Sequence, residues 1–358
     1  MRDVLLMPDC HFYFASTPLH VFLSSAIALT RPNDQHILLM IDQPEVDNNL
    51  YFTGVQRWAS SPFEASHIFE GRVKGLRKKI QSRKRIFAQI KALIEQYNPK
   101  FLYTGNDRRI EFQYGMSQAN DAVGCYIDEG TFTYVGRKAS SQMGDAIFDN
   151  IGKKLTYGFF WKNPPTIGGS AWVRDVYVAF PDLIYQGLKH KNIIHLEPEW
   201  LQNDALRQFS DGILSLQSYS PDALSGLAML IALPHESLLV DSVSSWQSII
   251  TKLQASSAKV AVKYHPRDLH TDVLNLSTQN HLIEIPRKIN FESLIPHIPE
   301  DCVIIGDFSS VLINAKWLKP SLTIKAVADE RNAMAERFTA FYKALGIDIL
   351  LLDELMQD

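Results

Sequence analysis

Three stretches set side chains that can move a proton or hold a phosphate directly behind an apolar run. "AVGCYI" leads into Asp128-Glu129-Gly130, "KVAVKY" into His265-Pro266, and "CVIIG" into Asp307-Phe308-Ser309-Ser310. A carboxylate at a strand end can serve as a general base, an effect typically worth about 10²–10⁴ in rate. Neighbours in a strand point to opposite sides, so one of Asp128 and Glu129 faces the open side. Gly130 lets another chain approach closely. A solvated acid in a turn is the plainer reading of the same residues. His265 is held extended by the proline after it. It reads either as a structural histidine closing a strand or as a donor to a leaving phosphate. Ser309 and Ser310 precede "VLINAKWL", a helical pattern, so a serine cap accounts for them. With Gly306 just before, hydroxyls at a helix N-terminus suit a phosphate equally well. Two further runs end in polar loops: "FLYTG" before Asn106-Asp107-Arg108-Arg109, and "LAMLIAL" before Pro234-His235-Glu236-Ser237. Asn106 and Arg109 read either as facing an acceptor or as making surface ion pairs. Together the loops supply a carboxylate pair, an imidazole and a hydroxyl pair, a set that transfer chemistry uses.

Parallel sheets position such loops, because ligands of open α/β sheets bind outside the C-terminal strand ends. The apolar runs "HFYFA", "HILLMI", "FLYTG", "AVGCYI", "LAMLIAL", "KVAVKY", "LIEI", "CVIIG", "LTIKAV" and "IDILLL" alternate with longer helical patterns, in two series. Between the series lies an irregular region opening with "KNPPTIGGSAW". It places a domain boundary near residue 185, giving 1–185 and 186–358. At 358 residues the chain suits two domains. The expected class is α/β, two Rossmann-like halves facing each other across a cleft.

Composition narrows the partners. The chain is 46% hydrophobic and 21% charged with net charge −3, an ordinary soluble profile that excludes a whole-chain argument for nucleic acid. Cys10, Cys125 and Cys302 are odd in number, far apart and set in apolar runs, which reads as buried thiols in a reducing compartment without a metal spacing. "HFYFASTPLHVFLSSAIALT" is interrupted by His11, Ser16, Thr17, Pro18 and His20, so it reads as strand, turn and buried helix rather than a membrane span. A cytoplasmic protein is expected.

The order of the motifs resembles that of the bacterial sialyltransferases of GT-B architecture, glycosyltransferase families 52, 80 and 38, polysialyltransferase-like proteins included. Those enzymes share an acidic pair with glycine, then His-Pro, then paired Ser/Thr, matched here by "YIDEGTFTY", "KYHPRD" and "GDFSSVLINA". "IPRKINFESL" is similar to their ribose-binding stretch, and "FASTPLHVF" looks like their opening strand–turn–helix. The resemblance implies an inverting transfer from a CMP-activated sugar acid (sialic acid, a related nonulosonic acid or Kdo) to a hydroxyl of a surface glycan such as lipooligosaccharide or capsule, without metal or other cofactor. It implies Asp128 as the base with Glu129 as fallback, His265 as acid or electrostatic partner of the departing CMP, and Ser309 and Ser310 on its phosphate. It also implies Glu292 on the ribose and a backbone contact from Lys263, with Pro266 and Gly306 shaping the donor site. CDP-glycerol glycerophosphotransferases, which carry His-Pro and a "DYSS" segment, are the rival enzyme. A non-catalytic nucleotide-sugar-binding protein of polysaccharide assembly is the rival of another class.

One run stands outside these motifs. "RVKGLRKKIQSRKR", 72–85, has eight basic residues in fourteen and no acid, while Val73, Leu76, Ile80, Phe87, Ile90 and Ile94 keep helical spacing. It reads as a solvated face, a peripheral contact with an anionic membrane surface, or a contact with a negatively charged glycolipid.

Overall fold

The alternation of runs becomes two parallel sheets in the computed structural model, which describes residues 8–71, 73, 75–128, 130–136, 154, 158–239, 243–254, 258–266, 268, 272, 274, 282–328 and 335–351. The chain divides into units 1–206 and 207–358. In the first, β1 (Cys10–Ala15), α1 (Pro18–Leu29), β2 (Gln35–Gln43), α2 (Leu50–Arg57), β3 (Ala65–Glu70) and α3 (Leu76–Tyr97) are followed by β4 (Phe101–Thr104), α4 (Ile110–Gln118), β5 (Val123–Ile127), α5 (Thr131–Val135), β6 (Val173–Val178) and β7 (Asn192–His195). The seven strands lie in the order β3-β2-β1-β4-β5-β6-β7. The order reverses between β1 and β4, which is where an open α/β sheet offers a crevice.

The expected boundary at residue 185 falls inside this unit. β7 pairs in parallel with β6 and carries the first sheet to its edge, so the unit runs on to residue 206. With only four residues, each partly or fully exposed, β7 has too few apolar positions to read as a strand. The strand–turn–helix at the N-terminus holds as expected: Thr17 caps α1 by accepting from the His20 N–H (3.3 Å), with Pro18 at the first helical position.

Strand alternation gives the first sheet two unlike faces. Cys10, Phe12 and Phe14 of β1 join Ile37, Leu39, Leu102, Tyr126 and Val176 in the main hydrophobic core with Ile86, Ile90 and Ile94 of α3. The opposite face carries His11, Tyr13, His36, Tyr103 and Tyr177. His11 stacks on Phe101 (4.8 Å) and bonds Tyr103 and Asp34 (3.3 and 3.1 Å), while the Tyr13 hydroxyl meets His36 Nδ1 at 3.1 Å. Burial holds the His11 imidazole down at about 4 and that of His20 at about 3, and lowers His36 as well.

These depressed values make the fold acid-sensitive. Unfolding returns each imidazole to about 6.5, so below that pH the unfolded chain takes up protons that the folded chain refuses. The stabilisation is complete above pH 6.5 and is lost progressively toward pH 4. The melting temperature is expected to fall steeply over that window in a thermal denaturation series, and a flat profile would contradict the assignment.

α6 (Asp204–Leu216) leads into the second unit, where β8 (Met229–Ala232), a helical turn α7 (Glu236–Leu239), α8 (Val243–Gln254), β9 (Val260–Lys263) and β10 (Leu282–Ile285) precede β11 (Val303–Gly306), α9 (Ser310–Leu318), β12 (Thr323–Ala328), α10 (Ala335–Ala344) and β13 (Asp348–Leu351). All six strands are parallel, in the order β10-β9-β8-β11-β12-β13, with the reversal between β8 and β11. Ile231, Val260, Val262 and Ile305 pack beneath Trp246, Ile249 and Ile250 of α8. The three cysteines are free and buried, as expected, and burial pushes the Cys10 and Cys302 thiols up to about 12, which leaves them unreactive.

Candidate active site

In the first unit the acidic motif stands at the C-terminal end of β5. Asp128 follows the strand directly and is 5% exposed. Gly130 turns the chain with φ 111°, a conformation in which a side chain would be strained, and its N–H donates to Asp128 Oδ1 (2.8 Å). The Tyr134 hydroxyl donates to Oδ2, and the Ala179 N–H approaches the same oxygen at 3.3 Å. Tyr134 in turn accepts from the N–H groups of Ala179 (3.1 Å) and Phe180 (3.3 Å), so one phenol fastens the end of β6 to the carboxylate. Burial raises the Asp128 carboxyl above its ordinary value, and the Tyr134 and Gly130 donors pull it part of the way back. A carboxylate with raised basicity in a fixed orientation is suited to take a proton. Glu129 lies outside the described residues.

Tyr134 escaped the sequence reading, although it stands in the quoted "DEGTFTY" six residues beyond Asp128. His20 is another polar group that escaped. Its Nδ1 accepts from the Ser16 N–H (3.3 Å), while Nε2 is buried without a hydrogen-bond partner among the described residues. A side chain at Gly105, directly after β4, would collide with that ring at 1.9 Å.

Asn106 and Arg109 are occupied within their own loop and its neighbour. Asn106 Oδ1 accepts from the Arg108 N–H (3.1 Å), and Arg109 forms an ion pair with Asp42 near the end of β2. The structural reading of these two residues is thus the one with visible partners. A cavity of about 540 Å³ lined by Asn48, Phe69, Glu70 and Arg85 contains none of the motif residues.

In the second unit the remaining motifs fall on strand ends two positions apart in the sheet. His265 follows β9 and Ser309 follows β11, with β8 between, so the strand ends stand about 10 Å apart. Ser309 is the N-cap residue of α9, with extended backbone, yet it makes no side-chain cap bond. Its Oγ is buried without a partner among the described residues, while its carbonyl is held by the Tyr342 hydroxyl (2.8 Å). The capping explanation therefore supplies only the position of this serine. The hydroxyl sits beside the Asp307 carboxyl at the positive end of a helix and caps none of its N–H groups. Gly306 ends β11 beside Ala232 of β8, where a Cβ would lie 2.9 Å from the Ala232 carbonyl oxygen. Burial pushes the Asp307 carboxyl up to about 6 despite the neighbouring Ser309 hydroxyl.

Glu292, 9% exposed, is oriented by two amides. Asn290 Nδ2 donates to Oε2 and Asn314 Nδ2 to Oε1, both at 2.7 Å, and the Ser293 hydroxyl fixes Asn290 at 2.5 Å. Asn314 lies on α9, so the helix whose first turn carries Ser310 also aims the glutamate. Each carboxylate oxygen keeps a second lone pair for a ligand hydroxyl. Lys263 is 4% exposed and its carbonyl accepts from the Leu233 N–H (3.0 Å). Burial pulls its amine down to about 8 against the opposing charge of Glu292. Pro266 is exposed beside a half-buried His265.

Compared by sequence, the chain matches no protein-family model and no curated relative. Compared by structure, it is similar to an α/β-galactoside α-2,3-sialyltransferase from Photobacterium phosphoreum, with TM-score 0.61 and 14% identity over 97% of this chain and 99% of that one. The fold is GT-B. The 2,6-sialyltransferase of Photobacterium sp. JT-ISH-224, solved with CMP and lactose, matches with TM-score 0.52 and 14% identity over 96% of this chain and 78% of its own. The UDP-GlcNAc 2-epimerase of Methanocaldococcus jannaschii matches with TM-score 0.54 and 13% identity over 98% and 91%. Identities this low establish the GT-B fold and leave the chemistry to the residues.

Proposed function

We propose that the protein is an inverting glycosyltransferase that moves a sugar acid of the sialic acid class from its CMP-activated donor to a hydroxyl of a glycan. The observation that carries this reading is Ser309, a helix N-cap residue whose buried hydroxyl caps nothing, in a GT-B chain similar to sialyltransferases. Ser309 and Ser310 hold the CMP phosphate, Glu292 takes the ribose hydroxyls, and His265 neutralises charge on the departing nucleotide. Asp128 removes the proton from the acceptor hydroxyl as that oxygen attacks the anomeric carbon. The new glycosidic bond forms as the bond to the phosphate oxygen breaks, and configuration inverts. A single phosphate leaving group with these donors calls for no metal in the step.

Binding of CMP, measured by titration calorimetry with EDTA present and with CDP, UDP and CDP-glycerol as competitors, tests the reading. CMP binding that is lost in His265→Ala and Glu292→Ala supports it. Preference for CDP-glycerol, or no nucleotide binding, overturns it in favour of one of the rivals. Asn314→Ala frees one oxygen of Glu292 and is expected to weaken CMP about tenfold, near the 1.4 kcal/mol of one charge-assisted hydrogen bond. Asn314→Asp sets two carboxylates together and is expected to be worse than Ala, which a loss of packing alone would not produce.

The acceptor side draws on α3. The helix begins at Leu76, and Arg77, Lys78, Lys79, Lys84 and Arg85 are exposed along its first three turns, while Arg83 pairs with buried Glu111. Its buried positions are Ile86, Ile90 and Ile94, with Phe87 stacked on Tyr114 (4.2 Å). Arg72 and Lys74 lie outside the described residues. Cations at a helix N-terminus oppose the macrodipole, an arrangement that favours an anion partner over a purely solvated face. No helix among the described residues is long and apolar enough to cross a membrane. An anionic glycolipid surface at the inner membrane is the partner proposed. Binding to anionic liposomes is expected to drop when Lys78, Lys79, Lys84 and Arg85 become Gln and when salt is raised. Binding indifferent to both would remove this contact.

A further inference from the structure

His235 and His265 leave the same end of two adjacent parallel strands, β8 and β9, and Asp268 returns toward both. The two rings stand edge to face with centroids 5.0 Å apart. One donor atom from each of the three residues lies within 4.8 Å of the other two. Asp268 is fixed from behind: its Oδ1 accepts from the Glu236 N–H (2.9 Å), and its own N–H donates to the His265 carbonyl (3.1 Å). Its Oδ2 is buried without a hydrogen-bond partner among the described residues.

From this geometry we propose that His235, His265 and Asp268 form a binding site for a borderline-soft divalent cation of the zinc class, and that the ion acts as a reversible inhibitor. Two imidazoles and a carboxylate are the ligand set of zinc rather than of magnesium or calcium, which take oxygen donors. Metal–ligand bonds of about 2.0–2.2 Å put tetrahedral ligands about 3.3 Å apart. The two half-buried rings close that gap by side-chain rotation. The backbone bond from Glu236 to Oδ1 holds the carboxylate in place, the part that an outer-shell partner plays at metal sites. Three protein ligands leave a position open for water.

The inhibitory consequence rests on the role proposed for His265. An imidazole nitrogen that gives its lone pair to a metal cannot bring a proton to the departing phosphate, so the ion and the leaving group compete for one ring. His235 and Asp268 have no part in the transfer step as proposed. They are the residues that make His265 sensitive to metal.

Metal-free full-length protein titrated with Co²⁺ and Zn²⁺ provides the test. One equivalent of Co²⁺ is expected to raise a visible absorption band that Zn²⁺ displaces, and Mg²⁺ is expected to leave it intact. His235→Ala and Asp268→Ala, checked for unchanged melting, are each expected to weaken Zn²⁺ by about tenfold or more, the loss of at least one ligand bond's share of affinity. No cobalt band, or zinc affinity unchanged in both variants, overturns the site. The ratio of transfer rates without and with zinc is expected to be large in the wild type and near one in His235→Ala. Tight zinc binding with a wild-type ratio of one overturns the inhibition. CMP binding measured separately keeps failure of the transferase reading distinct from failure of the metal site, because the cobalt band does not depend on turnover.

Discussion

Asp128→Ala is expected to lower the transfer rate by about 10²–10⁴ while CMP affinity stays at the wild-type value. The carboxylate belongs to the first unit and the residues proposed to bind the nucleotide to the second, so the substitution removes none of the proposed donor contacts. A robust transfer rate in this variant would mean that Asp128 is not the base. Tyr134→Phe gives a finer test, since it removes the hydroxyl donor to Oδ2 and keeps the ring. Burial already raises the Asp128 carboxyl, and the phenol opposes that rise. Without the phenol the carboxyl rises further, so the base ionises only at higher pH. The acid limb of the rate profile is expected to move upward by about one to two pH units, the equivalent of a 1.5–3 kcal/mol hydrogen bond to a charge. A uniform drop at every pH would give Tyr134 a role in folding alone.

Ser309→Ala is expected to weaken nucleotide binding while leaving stability little changed. In the free protein the Ser309 hydroxyl makes no cap bond and stands only beside the Asp307 carboxyl, so its removal should leave the melting temperature close to the wild-type value. In the proposed complex the same hydroxyl would donate to a charged phosphate oxygen. Its loss is expected to weaken CMP by about 10- to 100-fold. The two measurements separate ligand binding from capping, because a capping serine replaced by alanine loses about 1 kcal/mol of stability. A lower melting temperature with unchanged CMP affinity would return Ser309 to a structural role.

Which parts of this protein could be read beforehand follows from the range of the forces involved. β1, β2, β4 and β5 in the first unit, and all six strands of the second, are runs whose own apolar side chains announce them. β3, β6 and β7 are not. β6 holds Asp175, buried at 4%, paired with Arg174 and hydrogen-bonded by Asn192 of β7, so a charge interrupts the pattern that would mark it as a strand. β3 and β7 are edge strands with one neighbour each, and their exposure removes the apolar signal. The unread strands β6 and β7 are what displaced the expected boundary at residue 185.

The candidate site divides in the same way. The sequence by itself determined the α/β class, the two series of strands, and the placement of Asp128, His265 and Ser309 at strand ends, because periodicity, breakers and cap preferences act between near neighbours. Only the tertiary structure decided that Tyr134 clamps Asp128, that Asn314 aims Glu292 from 22 residues away, that Arg109 is spent on Asp42, and that His235 and Asp268 gather around His265. Hydrogen bonds and ion pairs carry no memory of sequence distance: their partners are chosen when the sheets bring strand ends together.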